Sequence, residues 1–231
     1  MKRDLPFLLF FAFIISAFCA RGFDDNAYGD IGWCSNNIQQ SFLPGCWATT
    51  PPVIDGAIDA VWQYATIHRF QLVCGGILPG YPWIAGPESH NGSIRLLNDN
   101  QNLYMLIQIY YEDYNASTYN FDELDIYFDG NGNGFLDPVE DAKYCLVSSG
   151  LEDWHYSSST AQEDTMLNGA LGKSHTNPVN GRVGNYTFEL RVPLNSTDIN
   201  DIATSTNKTI GACITSSLCL LKPFCFSLFN V

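Results

Sequence analysis

Basic residues are scarce in this chain of 231 residues: 11 Lys and Arg stand against 24 Asp and Glu, a formal charge of −13. A nucleic-acid binder needs a basic face to displace counterions from phosphate, so that class is excluded. Zinc has no ready cradle, because no CxxC or HxxxH spacing occurs. No G-x-S-x-G elbow is present to place Glu152, Asp153, His155 and the Ser157-Ser158-Ser159 run as a catalytic set. No amphipathic helix of three turns, internal repeat or low-complexity tract can be traced either. The sequence argues against an enzyme and against a helical fold.

What is present is apolar: 46% hydrophobic and 14% aromatic residues suit one substantial core or two small ones. The stretch "SIRLLNDNQNLYMLIQIYYED" holds two β-rich runs broken by a hairpin signal, "NDNQN". The run from Leu103 to Tyr110 is apolar at successive positions, which predicts a central strand buried on both faces. "LDIYFD" predicts a strand with Leu124, Ile126 and Phe128 on one face. "AKYCLVSS" and "YTFELRVPL" read as further strands. Short strands separated by Gly, Asn and Pro turns predict an all-β fold, an antiparallel two-sheet sandwich of jelly-roll type.

Export is expected from the start. Lys2 and Arg3 precede an apolar run from Leu5 to Ala20, the layout of a signal peptide over residues 1–20. The run is short for a membrane anchor, the competing reading. Five sequons support export, at Asn91, Asn115, Asn185, Asn195 and Asn207. In an exported chain the cysteines are expected in disulfides: Cys34 with Cys46 across a short loop, and Cys74 with Cys145 between core segments. Residues 21–50 read as a leader, with Trp33 and Trp47 packing it down, and 51–215 as the sandwich. Residues 216–231 read as an apolar, Cys-containing tail that adds a last strand and packs on the core. Membrane contact is expected only through an uncleaved signal or that tail, whose Lys222-Pro223 interrupts any 18-residue span. The expected location is extracellular or at the cell surface.

"DGNGNGFLDPVE" carries the most explicit chemistry. An EF-hand loop wants oxygens at positions 1, 3, 5, 7, 9 and 12, with Gly at 6 for the turn. Asp129, Asn131, Asn133, the Phe135 carbonyl, Asp137 and Glu140 fill those places, with Gly134 at the turn. Calcium is the expected ion. A strand, not a helix, precedes the loop, so it reads as a static hairpin site rather than a sensor that reorients helices. Asp113, Asp122 and Asp125 border nearby strands as a further calcium set or a solvated acidic edge.

"VIDGAIDAVWQYAT" resembles the opening motif of family 9 carbohydrate-binding modules and related DOMON-like β-sandwiches, through Ile54, Asp55, Gly56, Asp59, Trp62 and Ala65. "NLYMLIQIYYED" ending at Asp113, "DELDIYFD" with Asp122, Asp125 and Asp129, and "YTFELRVPL" with Tyr186, Glu189 and Pro193 are similar to later strands of that family, in the same order. Asp125 stands where the family has Glu. The resemblance covers about residues 51 to 215 and implies a calcium-stabilised sandwich that binds sugar where aromatics form a clamp. Trp62 holds a core place in the motif, whereas Trp83 and Trp154 sit in loop-like, polar contexts. Those two, with Tyr81, Glu152 and His155 as neighbours, are the candidate sugar contacts: aromatic faces to stack on pyranose rings and polar groups for hydroxyls.

The function expected is a secreted, non-catalytic module for polysaccharide or a cell-surface glycan. The alternatives are a structural matrix domain without a small ligand, and a haem-binding electron carrier using Met105 with His68, His90, His155 or Lys143. Only 3 methionines and no spacing cue support the haem.

Overall fold

The computed structural model describes residues 41–74, 88–110, 124–129, 141–147, 150–157, 160–179, 182–198, 201, 210–216 and 224–229. Thirteen strands follow in chain order: β1 (Ser41–Pro44), β2 (Cys46–Trp47), β3 (His68–Cys74), β4 (Glu88–Asn98), β5 (Asn102–Tyr110), β6 (Leu124–Asp129), β7 (Asp141–Val147), β8 (Gly150–Ser157), β9 (Thr160–Asp164), β10 (Leu171–Val179), β11 (Arg182–Pro193), β12 (Ile210–Ser216) and β13 (Phe224–Phe229). One 3-10 turn, Ala60–Tyr64, is the single helical element among the described residues. None there is long and apolar enough to cross a membrane as a helix.

The strands form two sheets. One has seven strands in the order β1-β13-β12-β6-β7-β8-β9; the other has six, β10-β11-β5-β4-β2, with β3 also pairing β4. The expected all-β sandwich is present, antiparallel but for two pairings. β1 runs parallel to β13 and β2 parallel to β4, so residues 41–47 leave one sheet and join the other. Strands therefore lie on both sides of the expected 51–215 span: the end of the leader supplies β1 and β2, and the apolar tail supplies β13.

Alternation builds the core between the sheets. Leu103, Met105, Ile107 and Ile109 of β5 meet Leu124, Ile126 and Phe128 of β6, all at most 1% exposed. Phe188, Leu190 and Val192 of β11 and Ile214 of β12 close the same cluster. The intervening β5 residues Tyr104 and Leu106 are also buried, but on the opposite face, against Ile54, Trp62 and Ala65. β5 is thus central, and from Leu103 to Ile107 it is buried on both faces, as its apolar run predicts. The hairpin before it is closed by Asp99, whose Oδ1 accepts the Gln101 and Asn102 amides at 2.7 Å each.

Residues 53–65 cover that second face through one buried carboxylate. Glu189 of β11, fully buried, accepts the Trp62 indole N–H on Oε1 at 2.8 Å. Its Oε2 accepts the Gly56 amide at 2.8 Å and the Asp55 amide at 3.1 Å. Gly56 is needed twice: its φ is +87°, and a Cβ there would lie 3.2 Å from the His175 Cβ. Asp55 and Asp59 fold the segment on itself by accepting the Ala57 and Val53 amides at 2.8 and 2.7 Å.

Two expectations about residues 21–50 meet the structure only in part. Trp47 does not pack the leader down: it is 54% exposed, because in two-residue β2 it alternates with Cys46, which takes the buried side. Cys46 is a free thiol whose sulfur lies 3.9 Å from the Thr66 hydroxyl. Trp33 and Cys34 fall outside the described residues. Cys74 and Cys145 lie on β3 and β7, in different sheets.

Candidate functional site

The segment 53–65 covers only part of the six-stranded sheet's outer face. Beyond it the register lines up two rows of polar residues. Arg69, Ser93, Gln108, Thr187 and His175 stand side by side across β3, β4, β5, β11 and β10. Gln71, Asn91, Tyr110 and Asn185 form the next row. These positions share the parity of Tyr104 and Leu106, so they face outward.

The inner members of this shelf are held firmly. Ser93 and Thr187 are each 2% exposed, and the Ser93 and Tyr110 hydroxyls lie 3.1 Å apart. Arg95 Nη1 donates to Gln108 Oε1 at 3.5 Å. Arg69, Gln71, Asn91 and His175 are exposed, while Gln108, Tyr110 and Asn185 are half-buried. Amides and hydroxyls both donate and accept, and Tyr110 adds an aromatic ring; this chemistry matches a polyhydroxylated ligand. The shelf was not singled out from sequence: only the β4–β5 hairpin marks two of its strands as neighbours, and Asn91 and Asn185 read as sequons. The usable signal was polar residues at alternate positions: Asn91, Ser93 and Arg95, then Gln108 and Tyr110, then Asn185 and Thr187.

The candidate sugar contacts divide. Tyr81 and Trp83 lie outside the described residues, in the connection from Cys74 of β3 to Glu88 of β4, which leaves the sheet at the Gln71–Asn91 end of the shelf. Trp154 is not in a loop: polar "LEDWHYS" forms β8 in the seven-stranded sheet. Leu151 of that strand packs against the inter-sheet core, so Glu152 and Trp154 face outward, while Asp153 and His155 alternate inward. The Trp154 indole donates to Glu152 Oε2 at 3.3 Å. Lys143 of β7 and Tyr127 of β6 continue the Trp154 row. Trp154 and Glu152 therefore share a face, and His155 is separated from them by the sheet.

Of the calcium loop, Asp129 alone lies within the described residues. It ends β6 opposite Asp141, the first residue of β7, so residues 130–140 join two adjacent antiparallel strands. The Asp129 side chain is 5% exposed and lies over Gly211, where a Cβ would come within 3.0 Å of its Oδ2. That topology fits a hairpin loop beginning on a fixed carboxylate. Asp125 is half-buried beside Tyr127, whose hydroxyl donates to it at 3.4 Å; Asp113 and Asp122 fall outside the described residues. Met105 is wholly enclosed by the aliphatic core.

A second acidic group occupies one end of the sandwich interior. Asp153 of β8 is 1% exposed and Asp201, beyond β11, is 4% exposed. Burial foremost, then the charge of Asp201 and its carboxyl alongside, push Asp153 up to about 8. Burial likewise raises Asp201, against the side-chain hydrogen bonds with Ser196, Asp153 and Asn168 that lower it. The surrounding turns are pinned: Asn168 Nδ2 donates to Asp198 at 2.7 Å, and Arg191 grips the Gly169 carbonyl at 2.9 and 3.1 Å.

With this geometry in place, the sequence model of the family described as carbohydrate family 9 binding domain-like matches residues 54–215. The chain belongs to this family. Among solved structures, a family 9 module from Caldicellulosiruptor kristjanssonii in complex with glucose is 16% identical, with a TM-score of 0.45 over 75% of this chain and 76% of that one. A Bacteroides uniformis protein described as carbohydrate-binding is 11% identical, with a TM-score of 0.52 over 83% of this chain and 90% of that one; it shares the fold. Curated proteins include no match. For this family 9-like chain, the opening motif and the late strand motif meet physically, in the bond between Trp62 and Glu189.

Proposed function

We propose that the domain is a non-catalytic module that binds polysaccharide or a cell-surface glycan on the polar shelf around Tyr110. Membership of a carbohydrate-binding family over residues 54–215 carries this reading. The shelf would supply the place: guanidinium, amide and hydroxyl groups from four neighbouring strands beside Tyr110, whose hydroxyl lies 3.1 Å from that of Ser93. Tyr81 and Trp83, in the connection rooted at the same end, would add the stacking faces a pyranose needs. Trp154 and Glu152 form a smaller, separate candidate surface on the other sheet.

In this reading the chain is exported, and calcium held by Asp129, Asn131, Asn133, Phe135, Asp137 and Glu140 rigidifies the β6–β7 hairpin. Asn195, exposed, is open to glycosylation; Asn91 and Asn185 stand in the shelf, where an attached glycan would take the ligand's place, and Asn115 and Asn207 lie outside the described residues. The test is a glycan array on the purified mature chain, followed by calorimetry with the best-bound oligosaccharide. Binding that weakens in Gln108→Ala and Tyr110→Ala supports the shelf. A repeated absence of any glycan signal overturns the reading in favour of a structural extracellular domain.

A further inference from the structure

We propose that the shelf is built for an acidic glycan, whose anionic group, a uronate carboxylate or a sulfate ester, sits on Arg69 and Arg95 at the β3–β4 edge. This rests on the reading of the shelf as a glycan surface and names the class of glycan it takes.

The charge balance of the chain is reversed on this face. The whole sequence has 24 acids against 11 Lys and Arg. Strand register nevertheless places Arg69, Arg95, Lys173 and Arg191 at outward positions of the six-stranded sheet. Among the described residues of β3, β4, β5, β11 and β10, Glu189 is the one acid at such a position. It is fully buried under the covering segment and already holds three N–H groups. Arg191 is engaged with the Gly169 carbonyl. Arg69, exposed, and Arg95, half-buried, are diagonal neighbours on adjacent strands. Such positions lie roughly 7–8 Å apart, within reach of one small anion between two long side chains. No carboxylate pairs with either arginine among the described residues.

A guanidinium carries five N–H donors. Arg95 spends one of them on Gln108 Oε1, at 3.5 Å, and its buried Nε meets no acceptor. A charged donor left unmet away from water costs more than a neutral one, and an oxyanion answers it with acceptors in the matching fork geometry. Because Gln108 turns its oxygen to Arg95, its amide nitrogen remains a further donor on the ligand's side. The hydroxyls of a neutral sugar donate as well as accept, so a site for it sets carboxylates beside its donors; this edge has none. The acids of the covering segment do not supply them. Asp55 and Asp59 accept the Ala57 and Val53 amides of their own segment. Gly56, next to Asp55, lies against His175 of β10, four strand spacings from Arg69 or about 19 Å across the sheet.

The experiment titrates the full mature chain, produced without N-glycans, by calorimetry against two matched pairs of probes. Oligogalacturonate against its methyl ester tests a carboxylate; a κ-carrageenan oligosaccharide against its desulfated form tests a sulfate. At least one acidic member should bind more than about tenfold tighter than its neutral partner, with an affinity that falls as salt is raised. Arg69→Gln and Arg95→Gln should each cut that ratio by about fivefold or more. Arg69→Lys should restore only part of it, since an ammonium keeps the charge and loses the fork. Lys143→Gln removes the same charge from the other sheet and should leave the ratio unchanged. Melts check the fold of each variant, and exposed Arg69 carries the test should Arg95→Gln not fold. Neutral members that bind as tightly as acidic ones, or a ratio untouched by Arg69→Gln, overturn the acidic preference and leave the glycan reading standing. So does silence from all four probes where an array shows neutral glycans bound. Silence across the whole array overturns both.

Discussion

Trp62 and Glu189 lie on opposite sides of a buried interface and are joined by one hydrogen bond of 2.8 Å, from the indole N–H to Oε1. The same carboxylate holds the Asp55 and Gly56 amides on its other oxygen. One side chain on β11 therefore fixes both ends of the segment that covers Tyr104 and Leu106. Without that cover the outer face of β5 would meet water, and a both-faced apolar strand would lose half its burial.

Glu189→Ala should unfold the cover before the sandwich. It leaves three N–H donors without an acceptor, at roughly 1–3 kcal/mol for each one that stays buried. A loss of about 3–5 kcal/mol in urea unfolding is expected, with Trp62 fluorescence shifting to the red at lower denaturant than the far-UV circular dichroism signal. Coincident transitions at the wild-type midpoint would show that the bond does not hold the segment.

Glu189 also sets a pH dependence. Burial holds its carboxyl above the ordinary glutamate range, against the bonds from Gly56, Trp62 and Asp55 that lower it. A raised folded value means that its contribution is full below the unfolded value and is lost as pH rises through the folded one. The free-energy difference between wild type and Glu189→Gln, which cannot titrate, should therefore move against wild type as pH rises from the acid side. A difference that is flat with pH would contradict the assignment.

Much of the sandwich was legible because its signals are local. Leu124, Ile126 and Phe128 alternate with Asp125 and Tyr127, and Leu103 to Ile107 do not alternate at all, so one strand reads as half-covered and the other as covered on both faces over that stretch. Trp62 as a core residue followed from its place in the opening motif. The shelf was not legible, because Arg69, Ser93, Gln108 and Thr187 become neighbours only through strand pairing. Asp153 and Asp201 lie far apart in sequence and meet only in the folded chain. β8 was misread as a loop since its polar residues give no apolar period, although strand alternation is what divides Trp154 from His155. The parallel pairings of β1 and β2 join segments far apart in sequence, which no local pattern marks.

Gly92→Ala should destabilise the β3–β4 pair. Gly92 faces Phe70 across the ladder, and a Cβ there would lie 2.4 Å from the Phe70 Cζ and 3.0 Å from the Gln108 carbonyl. The ring can move, but the backbone oxygen cannot do so cheaply, and Phe70 belongs to the inter-sheet core. An overpacking cost of about 1–3 kcal/mol is expected. Phe70→Leu makes room, so the same substitution should cost less in that background; an additive double-mutant cycle would deny the contact.

The two aromatic surfaces can be separated by ligand affinity. If the shelf holds the sugar, Gln108→Ala and Tyr110→Ala should each weaken glycan binding by about 1–2 kcal/mol, the scale of a lost buried hydrogen bond or ring contact. Trp83→Ala should weaken it as well, because its segment leaves β3 beside Gln71 and Asn91. Trp154→Ala should leave affinity unchanged, since that indole lies on the outer face of the other sheet and is already engaged with Glu152. Fold integrity in each variant is checked by its melt. A loss confined to Trp154→Ala and Glu152→Ala would move the sugar to the seven-stranded sheet and leave the shelf as a solvated face.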